Sequence, residues 1–512
     1  MVTRLGACAR APGARGCRAR PLARLRMARA GGAPAPLRYE VIPGNNAPLV
    51  EEALQRRGRW APHGAGEKHR KAALPSSVDL RWRPTRDSLL PPRRDQGAAA
   101  LRCGPPLVNH FERLRDLCTK DGLYASLAEW TGGGEVGGGS RGSGGGDALH
   151  AVVPPTFVVD TEGAGKGELS ALGRAMGACA AGAARTPAEL APGEKARAAA
   201  AAAMLAPADA GGGVNLWILK PAALNRGRGV RVVRGAASAA ESSAAVLAAA
   251  EAENAAASSE GTAAGAQPRV TRWVVQKYLE RPLLLAGRKF DVRAYVALRG
   301  DWSAWMCELG YLRVCSETFD LASESTYAHV ANTGRNASNA EGMRSAQAEV
   351  AAELGGECDC KLHVPLAALA ARIDQLSGGA AAWATRVWPA MRRQAALALA
   401  AARAKGRMRR SPGYDCFELL GLDFMLSDVA DGLRVSLIEV NTNPAIMPAG
   451  SPLLEAMLPE VMDDLLAVVA DPLFPPRGGR LTVTEGSAYS GAARADAIGD
   501  RGSFKRLRLP QR

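Results

Sequence analysis

At 512 residues the chain is long enough for two or three packed domains, but aromatic residues make up only 5% and alanine supplies much of the 47% hydrophobic fraction. No run of eighteen or more bulky apolar residues occurs, so no membrane span is expected. The net charge of +15 is unevenly placed: residues 1–38 hold nine arginines and no acid or lysine, leaving +6 for the rest. That mild excess suits an acidic polypeptide partner and does not call for nucleic acid.

In chain order, the Arg- and Ala-rich stretch 1–38 reads as a disordered leader, although its composition is shared with transit peptides. Residues 39–115 are expected to form a small N-terminal α/β domain. "YEVIPGNNAPLVEEALQRRGRW" reads as a strand, a Gly-Asn-Asn turn and a helix with Leu49, Val50, Ala53 and Leu54 on one face, and Ser77–Trp82 as a second strand. A central domain, 116–285, opens on a helical pattern broken near Lys120–Gly122. It carries a glycine-rich linker (131–147) and two Ala-rich insertions (163–213 and 236–268), read as surface helices or partly disordered. A C-terminal domain follows over 286–476. The tail 477–512, with few large apolar residues, is expected to be mobile. The ten cysteines are scattered, and only Cys358 and Cys360 sit close together, so buried thiols are expected and not a zinc site or disulfides.

Chemistry-bearing residues gather in three places. In "LWILKPAALNRGRGVRVV" two strands flank a loop with Arg226, Gly227, Arg228 and Gly229. Glycines let backbone N–H groups approach a phosphate and Lys220 adds a point charge, but taken alone the pattern is a hairpin. In "WVVQKYLERPLLLAGRKFDVRAYVAL" a buried strand precedes a strict alternation. Phe290, Val292, Ala294 and Val296 share one face, and Lys289, Asp291 and Arg293 share the other, which is either a solvated face or one wall of a cleft. In "FELLGLDFMLSDVADGLRVSLIEVNTNP" two strands join through Asp431-Gly432, a hairpin signal. If residues 428 and 434 pair, Asp423 lies opposite Glu439, with Asn441 on the same face and Phe424 and Ile438 pointing away. Facing carboxylates are costly unless a cation lies between them, and hard oxygen donors suit Mg²⁺; an acidic pair at a sheet edge is the other reading.

With these motifs the sequence resembles the tubulin–tyrosine ligase family, built on the ATP-grasp fold of antiparallel sheets with flanking helices. "GNNAPLVEEALQRRGRW", "LVNHFERLRDLCTKDGL", "QKYLERPLLLAGRKFDVRAYV", "FELLGLDFML", "LIEVNTNPAI" and "SPLLEAMLPEVMDDLLAVVADPLFPP" are similar to its signatures, in order, over most of 39–476. The resemblance implies ATP and Mg²⁺ as cofactors. Lys120, Lys220, Arg226 and Gly227 would meet the phosphates. The run Gln276, Lys277, Tyr278 and Leu279 would hold adenine through Gln276 and the strand backbone, and Lys289, Asp291 and Asn332 would lie on the nucleotide. Arg293 and Arg313 would bind an amino-acid carboxylate or the transferred phosphate, while Asp423, Glu439 and Asn441 would hold the metal.

The implied reaction is carboxylate–amine ligation through an acylphosphate. Its expected partners are the acidic tail of tubulin or a microtubule and a free tyrosine, glutamate or glycine, for a monomer at the cytoskeleton or in a cilium. The last motif leans toward tyrosine-ligase-like members; polyglutamylase or glycylase activity is the alternative. Ala222, Ala223 and Ala331 stand where the family usually has hydroxyl residues, which motivates a further reading as a catalytically weak microtubule-binding protein.

Overall fold

The computed structural model describes residues 36–44, 47–63, 78–84, 106–132, 145–162, 166–180, 192–205, 214–224, 227–259, 269–410, 414–429, 432–474 and 498–511. Nearly all of the Arg-rich leader, the glycine run 133–144, Arg226 and Asp431 lie outside the described residues.

The N-terminal part gives β1 (Leu37–Val41), α1 (Ala47–Arg56), β2 (Trp60–Pro62), β3 (Leu80–Trp82), β4 (Leu107–Val108), α2 (Arg115–Cys118), α3 (Lys120–Thr131) and α4 (Gly145–His150). The middle gives β5 (Thr156–Asp160), α5 (Lys166–Ala180), α6 (Pro192–Ala202), β6 (Leu216–Pro221), β7 (Arg231–Arg234), α7 (Ala239–Ser259) and β8 (Arg272–Lys277). The remainder opens with β9 (Leu284–Leu285), β10 (Arg288–Arg299), β11 (Ala304–Val314), α8 (Thr326–His329), α9 (Thr333–Asn336) and α10 (Ala340–Glu353). It ends with β12 (His363–Pro365), α11 (Leu366–Leu376), α12 (Trp388–Lys405), β13 (Asp415–Val429), β14 (Gly432–Thr442), α13 (Pro452–Val469) and β15 (Phe504–Leu507).

Two sheets result. The larger runs β12-β11-β10-β13-β4-β3-β1-β2, with β14 on β13, β15 on β11 and β9 on β10. Its C-terminal pairs are antiparallel, whereas β1–β2, β1–β3, β3–β4 and β4–β13 are parallel. Fifteen residues of strand span about 50 Å, so β13 reaches from β4 at its start to β14 at its end. The smaller sheet, β5-β8-β6-β7, is antiparallel throughout. Among the described residues no helix is long and apolar enough to cross a membrane.

Local chemistry accounts for the elements that frame the site. In α1 the four apolar residues expected on one face are all buried. The break expected near Lys120 falls at Thr119, whose Oγ1 accepts a 3.2 Å hydrogen bond from Gly122 N and caps α3. A side chain at Gly122 would collide with the Arg115 carbonyl, so glycine lets α2 and α3 pack closely. On β10, Phe290, Val292, Ala294 and Val296 enter the core beneath α10, α11 and α12.

Three expectations need correction. Residues 428 and 434 are not partners: Asp428 pairs with Leu433, and a bulge at Ile438 restores the Asp423–Glu439 pairing. The Ala-rich tracts are not surface decoration where described. Their helices α5, α6 and α7 cover the small sheet, burying Ala171, Ala175, Ala198, Ala201 and Ala250. Small side chains permit this: at Gly173 a Cβ would strike Ala239 O and Ser243 Oγ. The tail is not mobile over 498–511. There β15 pairs with β11, Phe504 is fully buried, and the Trp305 indole donates to Gly499 O at 3.1 Å. We expect Phe504→Ala to destabilise the protein by about 3 kcal/mol in chemical denaturation, whereas removal of a mobile tail residue would leave the midpoint unmoved.

Candidate active site

The charged residues of β10, β11, β13 and β14 form one row across four strands. Register places Asp291 opposite Arg313, Arg293 opposite Asp423, and Asp423 opposite Glu439. Directly opposite residues in neighbouring strands share a face, so Arg313 meets Asp291 and Arg293 meets Asp423, while Asp423 and Glu439 set two carboxylates side by side. Arg293 grips Asp423 with two hydrogen bonds, Nε to Oδ1 at 2.6 Å and Nη2 to Oδ2 at 3.1 Å. Arg313 grips Asp291 in the same way, at 2.7 and 2.8 Å, and its Nη2 also reaches Asp423 Oδ2 at 2.8 Å.

Arg293, Arg313 and Asp423 are buried while Asp291 and Glu439 are partly exposed, and burial opposes the charges of the buried three. At Asp423 burial would raise the carboxyl, but Arg293 and Arg313 outweigh it and hold the group well below the usual range. Burial likewise works against both guanidiniums, and the carboxylates overcome it, holding them above their ordinary value. At Asp291 burial outweighs Arg313 and the carboxyl is raised.

Glu439 lies at the open side of the row, its side chain 30% exposed, with Lys120 Nζ 3.9 Å from Oε2. Asn441 Nδ2 donates to both carboxylates, to Asp423 Oδ2 at 3.3 Å and to Glu439 Oε1 at 3.0 Å. The three metal-assigned residues are thus brought together. Among the described residues no group of three or more His, Cys, Asp or Glu side chains is placed to hold a metal ion, so two carboxylates and an amide are the full donor set here. That set fits a hard cation, with Glu439 partly exposed beside Lys120 and a half-turn of the Asn441 amide presenting Oδ1.

The opposite wall comes from the small sheet. A small cavity, open to solvent, is lined by Lys120, Tyr124, Thr156, Lys220, Gln276 and Ile438, among others. Lys220 Nζ donates to Gln276 Oε1 at 2.9 Å, and Gln276 Nε2 to Thr156 Oγ1 at 3.0 Å. Lys120 Nζ donates to Leu224 O at 2.7 Å. Lys289 lies deeper, donating to Tyr278 Oη at 2.7 Å and His329 O at 2.9 Å. Burial pulls both Lys220 and Lys289 down to about 8, with Glu439 the chief opposing charge at Lys220.

Not every assigned side chain faces this space. Lys277 turns to the other side of the small sheet, against Glu280, Leu216 O and the Trp217 ring, so only its backbone can serve a ligand. Asn332 caps α9 through its side chain, accepting from Arg335 N at 3.3 Å. Gly227 has a left-handed φ of 68°, and a Cβ there would lie 3.3 Å from Val330 and 3.6 Å from Asn332. The β6–β7 turn is therefore seated on the Val330–Asn332 segment. Ala222 and Ala331 are buried and Ala223 is exposed. Ile438, expected to point away, lines the cavity because the bulge turns it to the same side as Glu439, a reversal that strand periodicity cannot foresee. Thr156, Tyr124 and His329 were not anticipated; neutral residues beside charged ones carry no spacing signal of their own.

The profile described as the tubulin-tyrosine ligase family matches residues 184–477, more than half of the chain, and takes in Lys220, Gln276 and the charged row, with Lys120, Tyr124 and Thr156 lying before it. The chain belongs to the tubulin-tyrosine ligase family. Membership implies ATP use. It is 29% identical over 262 residues to tubulin monoglycylase TTLL3 of Danio rerio, covering 50% of this chain and 29% of that protein. Protein monoglycylase TTLL8 of Homo sapiens is 28% identical over 261 residues, covering 50% and 26%. Probable tubulin polyglutamylase TTLL2 of Homo sapiens is 28% identical over 178 residues, covering 34% and 26%. The chain thus spans less than a third of the length of these curated relatives.

The row makes an asymmetric stability prediction. Asp423→Asn strands two buried guanidiniums and should cost about 3–5 kcal/mol, whereas Glu439→Gln, at the exposed rim, should cost no more than about 1 kcal/mol. Denaturant melts of the two variants measure the contrast.

Proposed function

We propose that this chain is an ATP-dependent ligase that joins a carboxylate of an acidic polypeptide, tubulin by family, to the amino group of a free amino acid. The observation that carries this reading is the arrangement of the cleft. Lys120 and Lys220 line the cavity, and the Arg293–Asp423–Glu439 row reaches it at Glu439, whose Oε2 lies 3.9 Å from Lys120 Nζ. Such a site suits a triphosphate between cations and carboxylates. Of the amino acids the sequence leaves open, glycine is favoured, because relatives matched over about half of this chain are named glycylases. A tubulin substrate implies a place at the cytoskeleton.

Asp423, Glu439 and Asn441 would hold Mg²⁺, which supplies neutralisation of the charge gathering on the transferred phosphoryl group. Lys120 and Lys220 bind the phosphates, and Gln276 with the β8 backbone holds the base. The substrate carboxylate attacks the γ-phosphorus and ADP leaves. The amine of the amino acid then attacks the acyl carbon and phosphate departs. Arg293 and Arg313 orient the amino-acid carboxylate or the departing phosphate. No protein nucleophile is needed.

Two measurements test the reading. Glu439→Gln should lower ATP-dependent amino-acid incorporation into tubulin at least 100-fold while its melting curve stays close to the parent's. Incorporation at the parental rate would remove the metal assignment, and a parent that binds ATP but incorporates nothing would favour the weak microtubule-binding reading. The second is protonic. Lys220 and Lys289 titrate near 8 in the free protein, and a bound polyanion favours their charged forms. Binding at pH 8–9 should therefore take up protons, and affinity should fall as pH rises through 8. Calorimetry of ATP binding in two buffers of different ionisation enthalpy reads this directly.

A further inference from the structure

Lys289 is buried, and among the described residues no carboxylate pairs with it. Its ammonium donates to Tyr278 Oη and His329 O and lies 4.0 Å from the centre of the Tyr278 ring. Asp291, the nearest acid on its strand, is engaged by Arg313. Cys315 beside it stays a thiol, because burial pushes it up to about 12. Lys289 is thus held by neutral groups, and its charge is left for a ligand.

The geometry also dictates which way each hydrogen points. His329 Nε2 lies 2.8 Å from Ser323 O, an atom that can only accept, so Nε2 carries the hydrogen. In the neutral ring Nδ1 is then an acceptor, and it lies 2.8 Å from Tyr278 Oη. The tyrosine hydroxyl accordingly donates to His329 and offers its lone pairs to Lys289. The ring is kept neutral, since burial lowers its affinity for a proton and outweighs the Ser323 hydrogen bond, Lys289 adds to the effect, and Asp320 opposes it more weakly. Aromatic packing fixes the same parts: Phe319 stacks parallel to Tyr278 at 6.3 Å, and His329 meets both rings edge-on.

We propose that His329 is a positioning residue of the nucleotide site: through Tyr278 it sets the hydrogen-bond direction that aims the Lys289 ammonium at its ligand. The proposal rests on the reading of Lys289 as a nucleotide contact. It assigns a task to a side chain that touches no ligand itself, and to the Ser323 carbonyl that selects its tautomer.

Calorimetry with Mg-ATP on the full chain tests it with His329→Leu, His329→Asn and Tyr278→Phe. Asn places Oδ1 where Nδ1 stood and keeps the acceptor, whereas Leu removes it. His329→Leu and Tyr278→Phe should each weaken binding about ten-fold, and His329→Asn should stay within about three-fold of the parent. The Leu/Phe double variant should lose no more than the worse single, because both act through one chain of hydrogen bonds. Long-range ¹H–¹⁵N NMR of the parent, assigned by loss of the signal in His329→Asn, should show a neutral Nε2–H imidazole at pH 6.5, a readout that needs no folded Leu variant. Parental affinity in folded His329→Leu, additive losses in the double variant, or an Nδ1–H tautomer would each overturn the proposal while leaving the ligase reading intact. A parent that does not bind Mg-ATP would overturn both.

Discussion

The site depends on one shared carboxylate. Asp423 sits between Arg293 and Arg313 with both oxygens engaged, on the strand that links three others. Three buried charges would be ruinous unpaired, and their pairing is possible in only one alignment of β10, β11 and β13. A slip of one residue would put Asp423 into the apolar core now filled by Leu422 and Phe424, and Arg293 with it. The same contacts that satisfy the charges therefore hold the register of the cleft.

The bulge at Ile438 extends that alignment to the rim. From the turn up to Leu437 the β13–β14 pairing runs one residue out of step with the pairing needed at Glu439. One extra residue corrects it, and the correction aims Ile438 and Glu439 to the same side. An apolar surface and a carboxylate thus lie next to each other at the cavity wall, as a ligand with a flat base and a charged tail requires. The facing lysines complement this. Lowered toward 8 by burial, Lys220 and Lys289 carry a charge that their surroundings solvate poorly, and an incoming polyanion supplies what the protein withholds.

Much of this was legible because charge and strand period coincide. Lys289, Asp291 and Arg293 alternate with four apolar residues, and Asp423, Glu439 and Asn441 follow the same rule near a turn signal. The Asp423–Glu439 pairing was reached with a turn register that is off by one, and the bulge, invisible to period-two reasoning, made up the difference. What stayed hidden was non-local. Phe504 and Leu507 look like isolated apolar residues in a polar tail, yet they complete an edge of the large sheet. The alanines of α5, α6 and α7 look like filler until the small sheet is placed beneath them, where small volume is what close helix packing demands. Lys277 looked like its neighbours on the strand, but alternation turns it to Glu280 across the sheet.

The departure at Ala331 can be weighed against the same contacts. It lies between His329, whose ring joins Tyr278 to Ser323 O, and Asn332, whose side chain caps α9. The main-chain oxygen of Val330 accepts from Asn336 Nδ2 at 2.9 Å, and that of Asn332 does so at 3.0 Å. Asn336 in turn accepts from Ser316 N at the end of β11. The segment is thus anchored on both sides of residue 331 by bonds that do not involve its side chain. The seat for the β6–β7 turn at Gly227 therefore does not depend on the side chain at residue 331.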